Sequence, residues 1–174
     1  DLSTLTGHLH KIIDTPFQHQ IRRYRDKFIN QTYEKFVINN EFFINNKLLP
    51  GFYTVHLPQA FNKSIFIEVW NKERKILEKI SKNKFRTVDD VNQYLFRYWQ
   101  LIEGKFNPVL YRKLGWSFGN PELEKKQIIK FIRSQQRKII CINDNENISD
   151  FKRIRDDIAQ AFEYILPYKS KFEI

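Results

Sequence analysis

Four residues of this chain carry side chains suited to acid–base and anion chemistry: His56, Arg86, Asn143 and Asp144. Asn143 and Asp144 follow the apolar run Ile139-Ile140-Cys141-Ile142 and precede a new apolar periodicity that extends to Ile165. A strand that gives out into side-chain acceptors and then into a helix places those acceptors at the strand's carboxyl end, where open α/β sheets bind ligands. A carboxylate fixed there could hold a divalent cation against a diphosphate. The same Asn-Asp pair also serves as an ordinary turn and cap, so spacing alone leaves both readings open. His56 falls between a short apolar stretch, Phe52–Val55, and a helical pattern that starts near Pro58. A histidine at such a junction can be fixed by the backbone and stay accessible, as a general base requires, or can simply be solvated. Arg86 stands just before Thr87 and Asp90, which resemble a capping box; free N–H groups at a helix start favour anions, and a guanidinium there could add bidentate bonds to phosphate. It could equally be one surface charge among 30 Lys and Arg.

These residues need elements to position them. The central strand is expected over Ile139–Ile142, buried on both faces, with Ser149 capping a helix that turns Phe151, Ile154, Ile158, Phe162 and Ile165 inward. The spacing of Ile65, Phe66, Val69, Trp70, Ile76, Leu77 and Ile80 predicts a helix from Pro58 to about Lys82. Val91, Tyr94, Leu95, Tyr98, Trp99 and Ile102 form one stripe, and Gly104 sits where a C-terminal cap belongs. Glu122–Gln136 reads as a helix with Leu123, Ile128, Phe131 and Ile132 inward and basic residues outside. Lys105–Pro121, broken by Pro108, Gly115, Gly119 and Pro121, reads as a long irregular loop of the kind that forms lids. Over Phe17–Leu49, aromatics including Tyr24, Phe28, Tyr33, Phe36, Phe42 and Phe43 recur at helical spacing, which assigns them to a core. The fold class is therefore α/β, mostly helical with a few short strands.

Composition bounds the rest. With 174 residues, 41% apolar and 16% aromatic, the chain supports one packed domain. A formal charge of +10 implies an anionic partner: nucleic acid, a membrane surface or a phosphorylated substrate. The lone Cys141 excludes an intrachain disulfide and fits a reducing compartment. No stretch reaches the roughly 20 apolar residues of a bilayer span. His8 and His10 lack a carboxylate or cysteine to complete a metal set. Absence of Met and a start at Asp1 lead to the expectation of a fragment of a longer protein.

Three segments together resemble the Stealth family of sugar-phosphate transferases. YTVHLPQAF, Tyr53–Phe61, is similar to that family's third conserved region with its H-x-P start, and KNKFRTVDDVNQYLFRYWQLIEG, Lys82–Gly104, to the F-R and aromatic helix that close it. KIICINDNENIS followed by AFEYILPYKSKFEI is similar to the fourth region, an apolar strand into L-N-D-N, a helix and F-P-x-x-S-x-F-E. The resemblance implies transfer of a hexose-1-phosphate from a UDP-sugar donor to a hydroxyl of a saccharide acceptor, releasing UMP, with Mg²⁺ (or Mn²⁺) on the diphosphate. It implies catalytic roles for His56, Arg86, Asn143 and Asp144, with Arg86 and Asn143 on the donor and Asp144 on the metal. It implies also the C-terminal part of a GT-A/Rossmann-like nucleotide-sugar transferase domain, in capsular or cell-surface polysaccharide synthesis. The first and second regions of the family have no counterpart here. The chain then divides into a helical spacer (1–50), the H-x-P/F-R region (51–104), a loop plus basic helix (105–136) and the strand-N-D-helix region (137–174). Its expected partner is the missing N-terminal half, without which it would be inactive. The expected location is cytoplasmic, with the basic faces suited to peripheral association at the inner membrane. The competing reading is a basic nucleic-acid-binding or membrane-surface module; with its aromatics assigned to the core, nucleic acid is not the expected partner. If His56, Arg86 and Asp144 share one reaction, they must converge within about 10 Å.

Overall fold

The computed structural model describes residues 22–45, 52, 56–85, 87, 90, 91, 93–144 and 148–173. It divides into two compact units, one of Asp1–Tyr53 with Gln59–Val109 and one of Thr54–Pro58 with Leu110–Ile174. The expected strand over Phe52–Val55 and the residue Arg86 lie outside the described residues, apart from Phe52.

In the first unit, α1 (Arg25–Phe28), a 3₁₀ turn (Gln31–Phe36) and α2 (Val37–Asn45) stand where the aromatic spacing suits one or two amphipathic helices. Val37 and Ile44, seven apart and therefore on one face, are buried, whereas Phe42 is 55% exposed. The core assignment of Phe42 thus fails, because at 100° per residue it stands well off the line joining the other two. The helix expected from Pro58 begins instead at Lys63, where the Asn62 carboxamide accepts from the Ser64 N–H at 3.0 Å. It is also two helices, α3 (Lys63–Lys72) and α4 (Arg74–Ile80), since Glu73 leaves the helical region at φ −109°, ψ 24°.

Helix α5 (Tyr94–Ile102) buries Leu95, Tyr98 and Ile102 as its stripe predicts, and these join Ile65 and Val69 of α3 and Leu77 of α4 in one core. Phe96 is buried as well, stacked on Phe66 with ring centroids 3.9 Å apart. Thr87 and Asp90 make one half of a capping box, the Thr87 N–H donating to Asp90 Oδ2 at 2.9 Å; the Thr87 hydroxyl donates to Asp90 Oδ1 at 2.8 Å, the Asp90 N–H donates to the Thr87 carbonyl, and α5 starts only at Tyr94. At its other end Gly104 has φ +63°, and a Cβ there would lie 2.5 Å from the Tyr24 ring. The Lys27 ammonium donates to the carbonyls of Gly104 and Phe106, a cation set at a helix C-terminus where the dipole favours it.

The second unit runs α6 (Tyr111–Leu114), β1 (Gly115–Phe118), α7 (Pro121–Ser134), β2 (Ile139–Ile142) and α8 (Phe151–Ile165). The two strands pair in parallel, Gly115 opposite Ile139 through Phe118 opposite Ile142, so the connection must cross over, and α7 does so. The strand at Ile139–Ile142 is where the apolar run places it, although all four residues are half-buried instead of fully enclosed. The expected irregular loop is corrected here: part of it is α6 and β1. Four residues beginning with Gly carry little strand signal of their own, and pairing with the non-local β2 makes the difference. Helix α7 starts on the Asn120 side chain, which accepts from the N–H groups of Glu122 and Leu123, with Pro121 in the first turn. Its core stripe is Ile128 and Ile132, joined by Phe118 and by Ala161 of α8. Leu123, expected inward, is 79% exposed because five residues separate it from Ile128, well off the stripe. Phe151, also expected inward, is 53% exposed at the first position of α8. Among the described residues no helix is long and apolar enough to cross a membrane.

Candidate active site

The edge of the sheet at the carboxyl ends of the strands is assembled by short-range hydrogen bonds. One residue past β2, the Asn143 N–H donates to the Phe118 carbonyl at 3.0 Å and extends the ladder with β1. Asn143 is thereby held by the backbone, half-buried, with its side-chain oxygen 3.5 Å from the Cys141 thiol that donates to it. Asp144 follows, exposed. Asn145, Glu146 and Asn147 lie outside the described residues.

Ser149 does not cap α8 as its position predicts. Its hydroxyl and N–H both donate to the Glu122 carboxylate in the first turn of α7, and Asp150 takes the capping role by accepting from the Arg153 N–H. Glu122 thus reaches a segment 27 residues later in the chain, while Glu124 accepts from the preceding N–H groups of Gly119 and Asn120 at 2.9 and 2.8 Å. The two carboxylates thus tie the start of α7 to the turn on each side of it. The sequence assigns Ser149 to a cap and no contact to Glu122 or Glu124; the visible signal is an Asn-Pro helix start with acidic residues in its first turn.

Hydrogen bonds from Ser149 hold the Glu122 carboxyl below its ordinary range, and the Lys125 ammonium, 2.5 Å from Asp157 on α8, does the same for Asp157. A carboxyl whose folded pKa is depressed adds stability above its unfolded pKa and loses it as pH falls through the folded value. The thermal midpoint should therefore fall as the pH drops below about 4, the ordinary carboxyl range. A Lys125→Met, Ser149→Ala variant should show a smaller drop between pH 7 and pH 3; equal drops would remove these two contacts from the account.

His56 stands in a bend, exposed, beside the buried Leu57. Its segment, Thr54–Pro58, groups with Leu110–Ile174 and not with the chain on either side of it. The imidazole is thus carried by the same unit as Asn143 and Asp144 and is open to solvent. Arg86 lies outside the described residues, so the convergence expected of it has no coordinates. No group of three or more His, Cys, Asp and Glu side chains that could hold a metal occurs among the described residues. Mg²⁺ is commonly held through one or two carboxylates together with substrate phosphates and water. Asp144 is an exposed carboxylate of that kind, and Asn143 offers a neighbouring amide oxygen.

The sequence is similar to bacterial polysaccharide phosphotransferases. A capsular polysaccharide phosphotransferase of Streptococcus pneumoniae is 39% identical over 149 residues, 84% of this chain and 43% of its own length. A receptor polysaccharide phosphotransferase of Streptococcus oralis is 35% identical over 143 residues, 80% of this chain and 42% of its own. An exopolysaccharide phosphotransferase of Lactiplantibacillus plantarum is 35% identical over 120 residues, 68% of this chain and 34% of its own. The chain spans less than half the length of the curated relatives it matches. No family model and no solved structure matches it.

Proposed function

We propose that this chain is part of a Stealth-type catalytic domain that transfers a sugar-1-phosphate from a UDP-sugar to a saccharide hydroxyl in capsular or cell-surface polysaccharide synthesis. The observation that carries the reading is the grouping of the His56 segment with the unit that holds Asn143 and Asp144; the names of the relatives supply the reaction class. In the reaction, the acceptor oxygen forms a bond to the sugar-bearing phosphorus, and the anhydride bond to the uridylyl phosphate breaks. The bonding pair departs with UMP, and the hydroxyl proton passes to the His56 imidazole. Arg86 stabilises charge on the transferred phosphoryl group, and Asn143 orients the donor. Asp144 would hold Mg²⁺ or Mn²⁺, which when bound neutralises diphosphate charge. The fold that these strands belong to would be the C-terminal part of a GT-A or Rossmann-like domain, completed by an N-terminal half. A cytoplasmic site, with the basic surface turned to the inner membrane, suits nucleotide-sugar donors.

The test is the identity of the nucleotide product. The full-length protein incubated with a UDP-hexose and a saccharide acceptor should release UMP and leave phosphate in the product. Release of UDP, with no phosphate transferred, would mean ordinary glycosyl transfer and overturn the reading.

A further inference from the structure

Residues 110–174 hold 13 Lys and Arg against 9 Asp and Glu. Four of the 13 stand as two basic dipeptides, Arg112-Lys113 and Arg137-Lys138. They are 25 residues apart in the chain, and the fold sets them side by side. Arg112-Lys113 ends α6 just before β1, Arg137-Lys138 precedes β2, and the Lys138 N–H donates to the Leu114 carbonyl at 3.1 Å. Parallel pairing puts both at the amino ends of the strands, with Lys138 and Arg137 roughly 17–20 Å from Asn143 at about 3.3 Å per residue.

The centre of this cluster is one indole. The guanidinium of Arg112 lies 5.6 Å from the Trp116 ring centroid and that of Arg137 lies 5.5 Å from it, with Arg137 also 5.8 Å from the Phe131 ring. All three residues are half-buried, so the guanidiniums are held on aromatic faces and keep an edge toward solvent. The Arg112 Nε donates to the Tyr111 hydroxyl at 3.1 Å, which fixes its plane further. Two guanidinium forks gathered at one ring suit the bidentate geometry of a phosphate. Concentrated like charge disfavours the compact state, and an anion bound at the guanidiniums would relieve it.

We propose that Arg112, Trp116 and Arg137 form a second binding site, at the opposite end of the strands from the candidate active site, for a phosphate-bearing saccharide. The phosphate class follows from the guanidiniums; the saccharide class rests on the transferase reading. Lys113 and Lys138 add attraction without geometry.

The full chain is titrated with glucose 1-phosphate, glucose and inorganic phosphate while tryptophan emission is followed, and with phosphatidylglycerol vesicles. Glucose 1-phosphate should bind saturably, more tightly than either component alone, and Trp116→Phe should remove the signal. The pair R112Q, R137Q should weaken binding about tenfold or more, the scale of a lost charge-assisted hydrogen bond. D144N should leave it unchanged, which separates this site from the candidate active site. If the glutamine pair does not fold, R112K, R137K keeps the charge and loses the forks, and should still weaken binding. Equal affinity for glucose, undiminished affinity in the folded double variant, or capture by vesicles that glucose 1-phosphate does not compete would each overturn the proposal. Binding of glucose 1-phosphate by this chain, with no UMP released when the full-length protein is given a UDP-hexose and a saccharide acceptor, would leave this site standing and remove the transferase reading.

Discussion

Replacing His56 by alanine should lower turnover of the full-length protein by about 10²- to 10⁴-fold, the range supplied by a positioned general base. The acceptor hydroxyl would then have to lose its proton to water during attack on phosphorus. Asp144→Ala should cause a loss of the same order, because the diphosphate charge that its carboxylate helps to offset through the metal would oppose departure of UMP. Both side chains are exposed, so neither change should shift stability by more than about 0.5 kcal/mol, the usual scale for surface substitutions. The measurement is UMP release beside a thermal melt. His56→Ala with a normal melt and normal turnover would reject the assigned base; loss of both together would mean that the residue acts in folding.

The pH profile separates the role of His56 from a merely structural one. A base must be unprotonated to act, so the rate should rise with pH through an ionisation that His56→Ala abolishes, leaving a residual rate that is flat in that window.

Gly115→Ala should separate the two strands and, with them, the turn that carries Asn143. Gly115 is buried opposite Ile139, and a Cβ on it would lie 2.4 Å from the Ile139 carbonyl oxygen and 2.8 Å from its Cβ. The first obstacle is backbone, which cannot swing aside, so the strands must part. Overpacking of this kind costs about 1–3 kcal/mol, more where a backbone atom is the obstacle. The bond from the Asn143 N–H to the Phe118 carbonyl belongs to the same ladder, so activity should fall further than the fraction unfolded explains. Gly119→Ala is the control: an added Cβ there meets nothing within 4 Å. Denaturant midpoints for the two variants, read beside activity, decide the matter. Equal midpoints for Gly115→Ala and the native chain would show that the strands tolerate the added carbon.

The sequence by itself determined the elements whose stability is local. The run Ile139–Ile142 is a strand because four β-branched or small apolar residues stop at Asn143, and α5 and α8 form where apolar residues recur at helical spacing. It supplied the candidate residues as well, since His56, Asn143 and Asp144 stand at breaks in periodicity that are visible without coordinates. Tertiary structure decided what depends on distant partners. Strand β1 exists because Gly115–Phe118 finds β2; alone, four residues led by glycine have no preference for it. Ser149 is taken from its helix by Glu122, 27 residues away, and Asp150 caps in its place. The His56 segment joins the unit of Asn143, and Arg112 joins Arg137 on one indole. Periodicity reports which face of an element is apolar; which other element covers that face depends on contacts between residues far apart in the chain, and no local pattern encodes them.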